Sequence, residues 1–391
     1  MINREIEDII LEMTSHFPVI SLVGARQSGK TTLVKKIFND YEYVNLENTQ
    51  TRQFAIEDPQ GFIKQYNEQV IIDEAQYAPE LFSFIQENVD EERINGKFIL
   101  TGSQNFLLSQ GISQSLAGRV AVFTLHPFSY EELKDTPNEI IDLDMLLFKG
   151  LYPGVYQENL DPVHWYPSYL NTYLERDVRN IKNISNLNDF QRFLRICAAR
   201  TGQITNFSSL ATEVGVSHPT IKSWISVLES SHIIHLLQPY YKNYKKRLVK
   251  SPKLYFLDTG LVCSLLGIND VSQLQNHFLR GPLFETFVIS EMIKERTNNF
   301  QPVNLYYWRD NTGNEIDCIQ EDGNILRIIE VKSGTTINPG YFKAFKYFDK
   351  INTSQEKEYM VIYAGEQKQY RTEIKILGWK DIFNKKHPQA G

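Results

Sequence analysis

VGARQSGKTTLV, residues 23–34, has the spacing of a phosphate cradle: Gly24, four residues, then Gly29, Lys30 and Thr31. Its flanks supply the context. FPVISLVG (17–24) is a short apolar, β-branched run ending in glycine, the pattern of a buried strand. KTTLVKKIF (30–38) carries Leu33, Val34, Ile37 and Phe38 at helical spacing. The glycines therefore fall on a strand-to-helix turn, where backbone N–H groups and the helix N-terminus wrap phosphates. The expected contacts are Gly24, Ala25, Arg26, Gln27, Ser28, Gly29, Lys30, Thr31 and Thr32. Lys30 is expected on the β- and γ-phosphates and the Thr31 hydroxyl on Mg²⁺.

A second motif agrees with the first. QVIIDEAQ (69–76) is an apolar strand ending in Asp73-Glu74. Asp73 is placed to hold Mg²⁺, and Glu74 to polarise an attacking water as a general base. YEYVNLEN (41–48) reads as a further strand, and GKFILTGSQN (96–105) as a strand ending in small polar residues. Ser103 or Gln104 is the candidate sensor of the nucleotide. In SLAGRV (115–120), Arg119 is either a γ-phosphate contact, in its own or a neighbouring subunit, or a surface ion pair. No guanine-reading NKxD motif is visible, which favours ATP over GTP.

The order of these motifs resembles the additional-strand P-loop ATPases. More narrowly, ISLVGARQSGKTTL, IIDEAQ, ILTGSQN, SLAGRV, GLYPGV, TYLERDV and YFLDTGL resemble AAA-type ATPases of bacterial and archaeal genomes. In that family the ATPase is followed by a C-terminal domain of unknown function. An α/β chain with four parts is expected: a P-loop parallel-sheet domain (1–135), a helical lid or linker (136–185), a winged helix-turn-helix (186–260) and a C-terminal restriction-endonuclease-like α/β domain (261–391).

TNFSSLATEVGVSHPTIKSWISVLESSHIIHLL (205–237) has helix-turn-helix spacing with glycine in the turn. Phe207, Leu210 and Val214 face inward on the first helix; Ile221, Trp224, Ile225 and Leu228 do so on the second. Ser217, His218, Thr220, Lys222 and Ser223 lie toward the outer face. Two strands following the helices would form a wing, with YYKNYKKRLVKSPK (240–253) between them. There Lys242, Lys245, Lys246, Arg247 and Lys250 alternate with Tyr240, Tyr241 and Tyr244, a pattern suited to phosphate contact and base stacking. A protein-docking wing fits the same residues.

GPLFETFVISEMIKE (281–295) is an amphipathic helix carrying Glu285. LYYWRDNTGNEIDCIQEDGNILRIIEVKSG (305–334) follows, two apolar runs about Asp322-Gly323, a hairpin signal. With Asp322-Gly323 as the two-residue turn, Glu321 is expected opposite Asn324 and Asp317 opposite Ile328. Asp317, Glu330 and Lys332 then share one face. Two carboxylates and a lysine there suit a divalent-metal site, Asp317 and Glu330 as ligands and Lys332 orienting water. The ID…EVK pattern with an upstream helical glutamate resembles the PD-(D/E)XK restriction-endonuclease-like superfamily, although Ile316 stands where the proline of that pattern would be. The resemblance implies Mg²⁺-dependent cleavage of DNA or RNA, or a relict of it.

Composition narrows the classes. The 391 residues are 42% hydrophobic and 23% charged with net charge −6, which suits a soluble chain of several domains and excludes a uniformly basic nucleic-acid binder. Cys197, Cys263 and Cys318 are isolated, so neither a zinc site nor a disulfide framework is indicated. The charged, amphipathic MINREIEDIILEM (1–13) lacks a signal-peptide core, and no apolar run is long enough for a bilayer; a cytoplasmic protein without membrane contact is expected. Its expected partners are ATP and Mg²⁺, DNA or RNA, and a second copy of the chain or another protein.

Overall fold

In the computed structural model, residues 2–102, 115–157, 160–173, 187–240, 251–351 and 356–382 are described. Ser103 and Gln104 lie outside them, as do Lys242, Lys245, Lys246, Arg247 and Lys250.

The N-terminal sheet holds β1 (Val19–Gly24), β2 (Glu42–Asn45), β3 (Val70–Asp73), β4 (Phe98–Thr101) and β5 (Val120–Leu125). Its order is β2-β3-β4-β1-β5 and every neighbouring pair is parallel. β4 is thus inserted between the strand leading to the phosphate loop and the strand ending in Asp73. Every residue of β1, β3 and β4 is buried. Strands covered on both faces need continuous apolar runs rather than alternation, which is what VISLV, VII and FIL supply. Helix Lys30–Ile37 packs Leu33 and Val34 under this sheet, while helix Leu81–Glu92 packs Leu81, Phe82, Ile85 and Val89 on a separate core.

Beyond the N-terminal sheet, helices Phe207–Val214 and His218–Ser230 meet across Gly215, whose φ is +85°. Leu210, Val214, Ile221, Trp224, Ile225 and Leu228 are buried as their spacing demands, and Lys222 and Ser223 are exposed. Ser217 turns out to be the N-cap of the second helix, its Oγ accepting the Thr220 N–H at 3.2 Å. Strand β6 (Gln203–Ile204) precedes these helices and strands β7 (Ile234–Pro239) and β8 (Lys253–Phe256) come after them, β8 lying antiparallel to both others.

These strands do not stand alone as a wing. β7 pairs in parallel with β9 (Leu305–Arg309), which continues through β10 (Glu315–Asp322), β11 (Ile325–Lys332), β12 (Glu356–Tyr363), β13 (Gln369–Tyr370) and β14 (Ile374–Gly378). The result is one nine-stranded sheet in the order β13-β14-β12-β11-β10-β9-β7-β8-β6. Pairing β7 with β9 removes two open sheet edges at once. One continuous core accordingly joins Tyr152 and Trp165 of the helical segment, Phe190 and Trp224 of the helix-turn-helix region, Phe284 and Phe287, and Cys318 and Ile329 of the sheet.

The helix Arg280–Asn298 ties this sheet to the N-terminal part. Its Glu291 accepts the Tyr130 N–H at 2.7 Å, and its Lys294 donates to the Phe128 carbonyl at 2.9 Å. Glu291 and Lys294 also pair with each other at 2.8 Å, both almost fully buried, so each charge has its compensation.

The GLYPGV and YFLDTGL stretches meet at one buried carboxylate. Asp258 caps the helix Thr259–Leu265, accepting the Leu261 N–H and the Tyr166 hydroxyl at 2.8 Å each and the Leu151 N–H at 2.6 Å. Gly150 is required beside it: φ is +64°, and a Cβ would stand 2.1 Å from the Tyr166 hydroxyl. Asp258→Ala is expected to destabilise the chain by roughly 2–4 kcal/mol, because three buried donors lose one acceptor. A thermal or urea melt checks this; an unchanged midpoint would mean that water replaces the carboxylate.

Candidate functional sites

The phosphate loop runs from β1 into helix Lys30–Ile37. Gly24 must be glycine, since a Cβ would lie 2.1 Å from the Leu125 carbonyl oxygen of the neighbouring strand. The Lys30 ammonium is folded into the loop, donating to the carbonyls of Gly24 at 3.0 Å and Ala25 at 2.8 Å. Arg26, Gln27, Gly29, Lys30, Thr31, Thr32 and Glu74 line one cavity of about 360 Å³. Gly24, Ala25 and Ser28 are not in its lining; Ala25 and Ser28 are buried behind it.

Asp73 is saturated with donors. The Thr31 hydroxyl reaches it at 2.9 Å and that of Tyr43 at 2.6 Å; Thr101 donates to its other oxygen, as does the Glu74 N–H at 3.2 Å. With both oxygens engaged by donors, the carboxylate is held in one orientation at the end of β3. The contact between Thr31 and Asp73 puts two hard oxygen donors side by side, the set that Mg²⁺ takes.

Glu74 has φ +56° and ψ +44°, a left-handed conformation uncommon for a residue with a side chain. Its carboxylate faces the phosphate-loop cavity and accepts from the Gln76 amide. Strain of this kind persists where surrounding structure holds a side chain for a task.

Arg119 donates to both oxygens of Asp90, at 2.6 and 2.8 Å, and is absent from the cavity lining. Of the two roles expected for it, this arrangement is the surface ion pair.

Sequence reasoning missed the far wall of the phosphate-loop cavity. Tyr169 and Thr172, on helix Pro162–Tyr173 of the helical segment, complete its lining. Tyr169 stacks on Trp165 at 5.2 Å with 11° between the rings, and its hydroxyl is 3.0 Å from that of Tyr152. Aromatics at helical spacing signal a packed face, but nothing in that spacing indicates what they face.

The second cluster lies on the nine-stranded sheet. The hairpin pairs Cys318 with Ile329 and Asp322 with Ile325, so its turn is Gly323-Asn324 rather than the expected Asp322-Gly323. Ile328 therefore faces Ile319, not Asp317. Gly323, with φ +60°, is the residue that accepts the left-handed position at the head of this turn. The register has moved by two residues from expectation. Because side chains alternate with period two, such a shift preserves the face, where a shift of one would have reversed it.

Asp317, Glu330 and Lys332 do meet. The Lys332 ammonium donates to Asp317 Oδ2 at 3.2 Å and pairs with Glu330 Oε2. Two carboxylates on one nitrogen stand within two hydrogen-bond lengths of each other, about 6 Å. Asp317 also accepts the Val331 N–H at 2.8 Å. Burial, with the nearby charge of Asp317, pushes the Glu330 carboxyl up to about 8. Its Oε1 is buried with no hydrogen-bond partner among the described residues. Burial works against the Lys332 ammonium, yet the two carboxylates hold its pKa above the ordinary lysine value.

Glu285 accepts from the Tyr255 hydroxyl at 2.5 Å and from the Lys253 ammonium at 3.1 Å. Burial raises its carboxyl, Lys253 counters this, and the charge of Asp317 raises it further. Lys253, which is buried, also pairs with Glu315. Lys253 and Tyr255 come from β8, in the segment assigned to the wing, and no local pattern marked them. Among the described residues, no group of three or more His, Cys, Asp or Glu side chains is gathered to hold a metal ion. The fit to Mg²⁺ here therefore rests on the paired oxygens of Asp317 and Glu330 and on the orphaned Glu330 Oε1. The free cysteines are all buried, and no helix among the described residues is long and apolar enough to cross a membrane.

Comparison with known proteins divides the chain into three matched segments. Residues 16–134 match the AAA domain, residues 140–272 a domain of unknown function (DUF8612), and residues 280–382 another (DUF4143). An uncharacterized protein of Mycobacterium tuberculosis is 27% identical over 354 residues, spanning 90% of this chain and 77% of its own. One from Haemophilus influenzae is 23% identical over 318 residues, spanning 71% and 77%. Among solved structures, the Walker-type ATPase of Pyrococcus abyssi is 18% identical with a TM-score of 0.49, covering 68% of this chain and 96% of that one. The N-terminal part is thus an AAA-type P-loop ATPase domain on an α/β parallel sheet.

Proposed function

We propose that the chain hydrolyses ATP with Mg²⁺ at the phosphate loop and uses the cycle to control a Mg²⁺-dependent nucleic-acid-cleaving site at Asp317, Glu330 and Lys332. In the first site Lys30 and the loop amides bind the phosphates, Thr31 and Asp73 hold the cation, and Glu74 takes the proton of the attacking water. In the second, Asp317 and Glu330 hold the cation, Lys332 orients the water, and Glu285 supports the arrangement from its helix. A divalent ion bound there supplies a bound water of lowered pKa and neutralises charge on the scissile phosphate. The observation that carries the second site is the buried, orphaned Glu330 Oε1 beside a second carboxylate and a lysine.

Incubating the full chain with plasmid DNA and with RNA, with Mg²⁺ or Mn²⁺, and with or without ATP tests the reading. Metal-dependent cleavage altered by ATP supports it. A second reading is a signalling ATPase whose C-terminal part binds nucleic acid or a partner protein without cutting. The Lys332 ammonium favours this one, because it already bridges both carboxylates as a cation would. ATP turnover with no cleavage of either nucleic acid would select it.

The helix-turn-helix region with the basic stretch after β7 is the proposed winged-helix binding element. Replacing Lys245, Lys246 and Arg247 by alanine should weaken DNA binding and flatten its salt dependence, by about one log–log unit for each phosphate no longer neutralised. Lys222, exposed on the second helix, should contribute in the same sense. An unchanged salt slope would assign the element to protein docking.

A further inference from the structure

Arg4 precedes β1 and lies outside the residues that match the AAA domain. It is nonetheless buried against the phosphate loop, 8% exposed, with each nitrogen of its guanidinium engaged. Nε donates to both oxygens of Glu132, at 3.0 and 3.1 Å. One terminal nitrogen donates to the Ser28 carbonyl at 2.8 Å and the other to the His126 carbonyl at 2.7 Å. The plane also lies over the Phe128 ring, 4.8 Å from its centre. A buried guanidinium with four oxygen acceptors and an ion-pair partner is held in one orientation.

The bond to Ser28 has a consequence for the ligand. A trans peptide unit is planar, with its C=O and N–H pointing in opposite directions. Holding the Ser28 carbonyl toward Arg4 therefore turns the Gly29 N–H away from Arg4. Gly29 has φ +98°, a backbone that glycine alone takes readily, and it lines the phosphate-loop cavity. Without the guanidinium, the Ser28–Gly29 unit would be free to rotate and would leave an unpaired carbonyl beside a phosphate site.

We propose that Arg4 is a positioning residue of the nucleotide site: by holding the Ser28 carbonyl it presents the Gly29 N–H to the β-phosphate. Glu132 acts through it by fixing the guanidinium. Glu132 is itself locked, accepting the backbone N–H groups of Glu5 at 2.8 Å and Ser129 at 3.0 Å. This inference rests on the ATPase reading and names what prepares its phosphate cradle.

The test uses the full chain and measures dissociation constants for ATP and ADP in Arg4→Gln, Glu132→Gln, the double variant and Arg4→Lys. Arg4→Gln should weaken both nucleotides by about tenfold, since both carry the β-phosphate and one charge-oriented hydrogen bond is at stake. The double variant should be no weaker than Arg4→Gln, and Arg4→Lys should recover part of the affinity, because lysine keeps the charge without the fork. A lower melting temperature with native affinity for both nucleotides would make Arg4 purely structural and overturn the proposal. Weakening of ATP alone would place its effect at the γ-phosphate and overturn it too. If the unmodified chain binds neither nucleotide, the ATPase reading fails and takes this inference with it; native binding by Arg4→Gln defeats the inference alone.

Discussion

ATP hydrolysis by the Lys30→Ala chain is expected to fall about 10³-fold or more, to a rate near background. The ammonium now resting on the carbonyls of Gly24 and Ala25 is a cation in the cradle itself, and among the described residues no other lysine lines the cavity. Its removal leaves the β- and γ-phosphate charge without its principal partner, so binding should weaken as well. Glu74→Gln should behave differently. It keeps the shape and the contact with Gln76 but cannot take a proton, so nucleotide affinity should persist while turnover drops by about 10²–10⁴. The neighbouring Asp73 cannot replace it, because three hydroxyls and a backbone N–H already occupy that carboxylate. A single-turnover assay beside equilibrium binding separates the two variants. Full turnover by Glu74→Gln would mean that the base lies elsewhere.

Asp317→Ala and Lys332→Ala are each expected to abolish metal-dependent cleavage and leave ATP hydrolysis unchanged. Asp317 receives the Val331 N–H and the Lys332 ammonium, so its removal opens the cluster and takes away one of two proposed metal ligands. Lys332→Ala removes the cation that bridges the carboxylates. The two carboxylates would then repel each other, and the Glu330 carboxyl should rise further above its ordinary value. The two variants differ in a second measurement. Mn²⁺ affinity should fall sharply in Asp317→Ala, whereas Lys332→Ala should hold the ion at least as well, since a competing charge is gone. Cleavage surviving in Asp317→Ala would remove this cluster from the chemistry.

Much of the ATPase part is legible from a few short stretches. A strand followed after one glycine-rich turn by a helix is local in sequence, and its backbone requirements are strict enough to read at Gly24 and Gly29. The acidic strand end at Asp73-Glu74 is similarly local. The helix-turn-helix faces follow from helical periodicity, and Ile221, Trp224, Ile225 and Leu228 are buried accordingly. The hairpin shows the limit of such reading. Strand alternation correctly put Asp317, Glu330 and Lys332 together, yet the turn formed one residue later than the Asp-Gly signal suggested. Face depends only on parity, whereas register also depends on β9 and on the bulge between Ile316 and Ile319.

The phosphate loop, the acidic strand end and the set of three residues on the hairpin face follow from sequence alone, because each depends on chain neighbours or on the period of one element. The rest came from tertiary packing. Packing brought Arg4 to Glu132, 128 residues away, and Glu285 to Lys253 and Tyr255, and it merged two groups of strands through β7 and β9. It also gave Arg119 to Asp90 and placed Tyr169 and Thr172 over the loop. Nothing local marks these partners. A buried charge has to find its counter-charge wherever packing brings one, and an open strand edge has to find another edge, so both are settled only when the whole chain is folded.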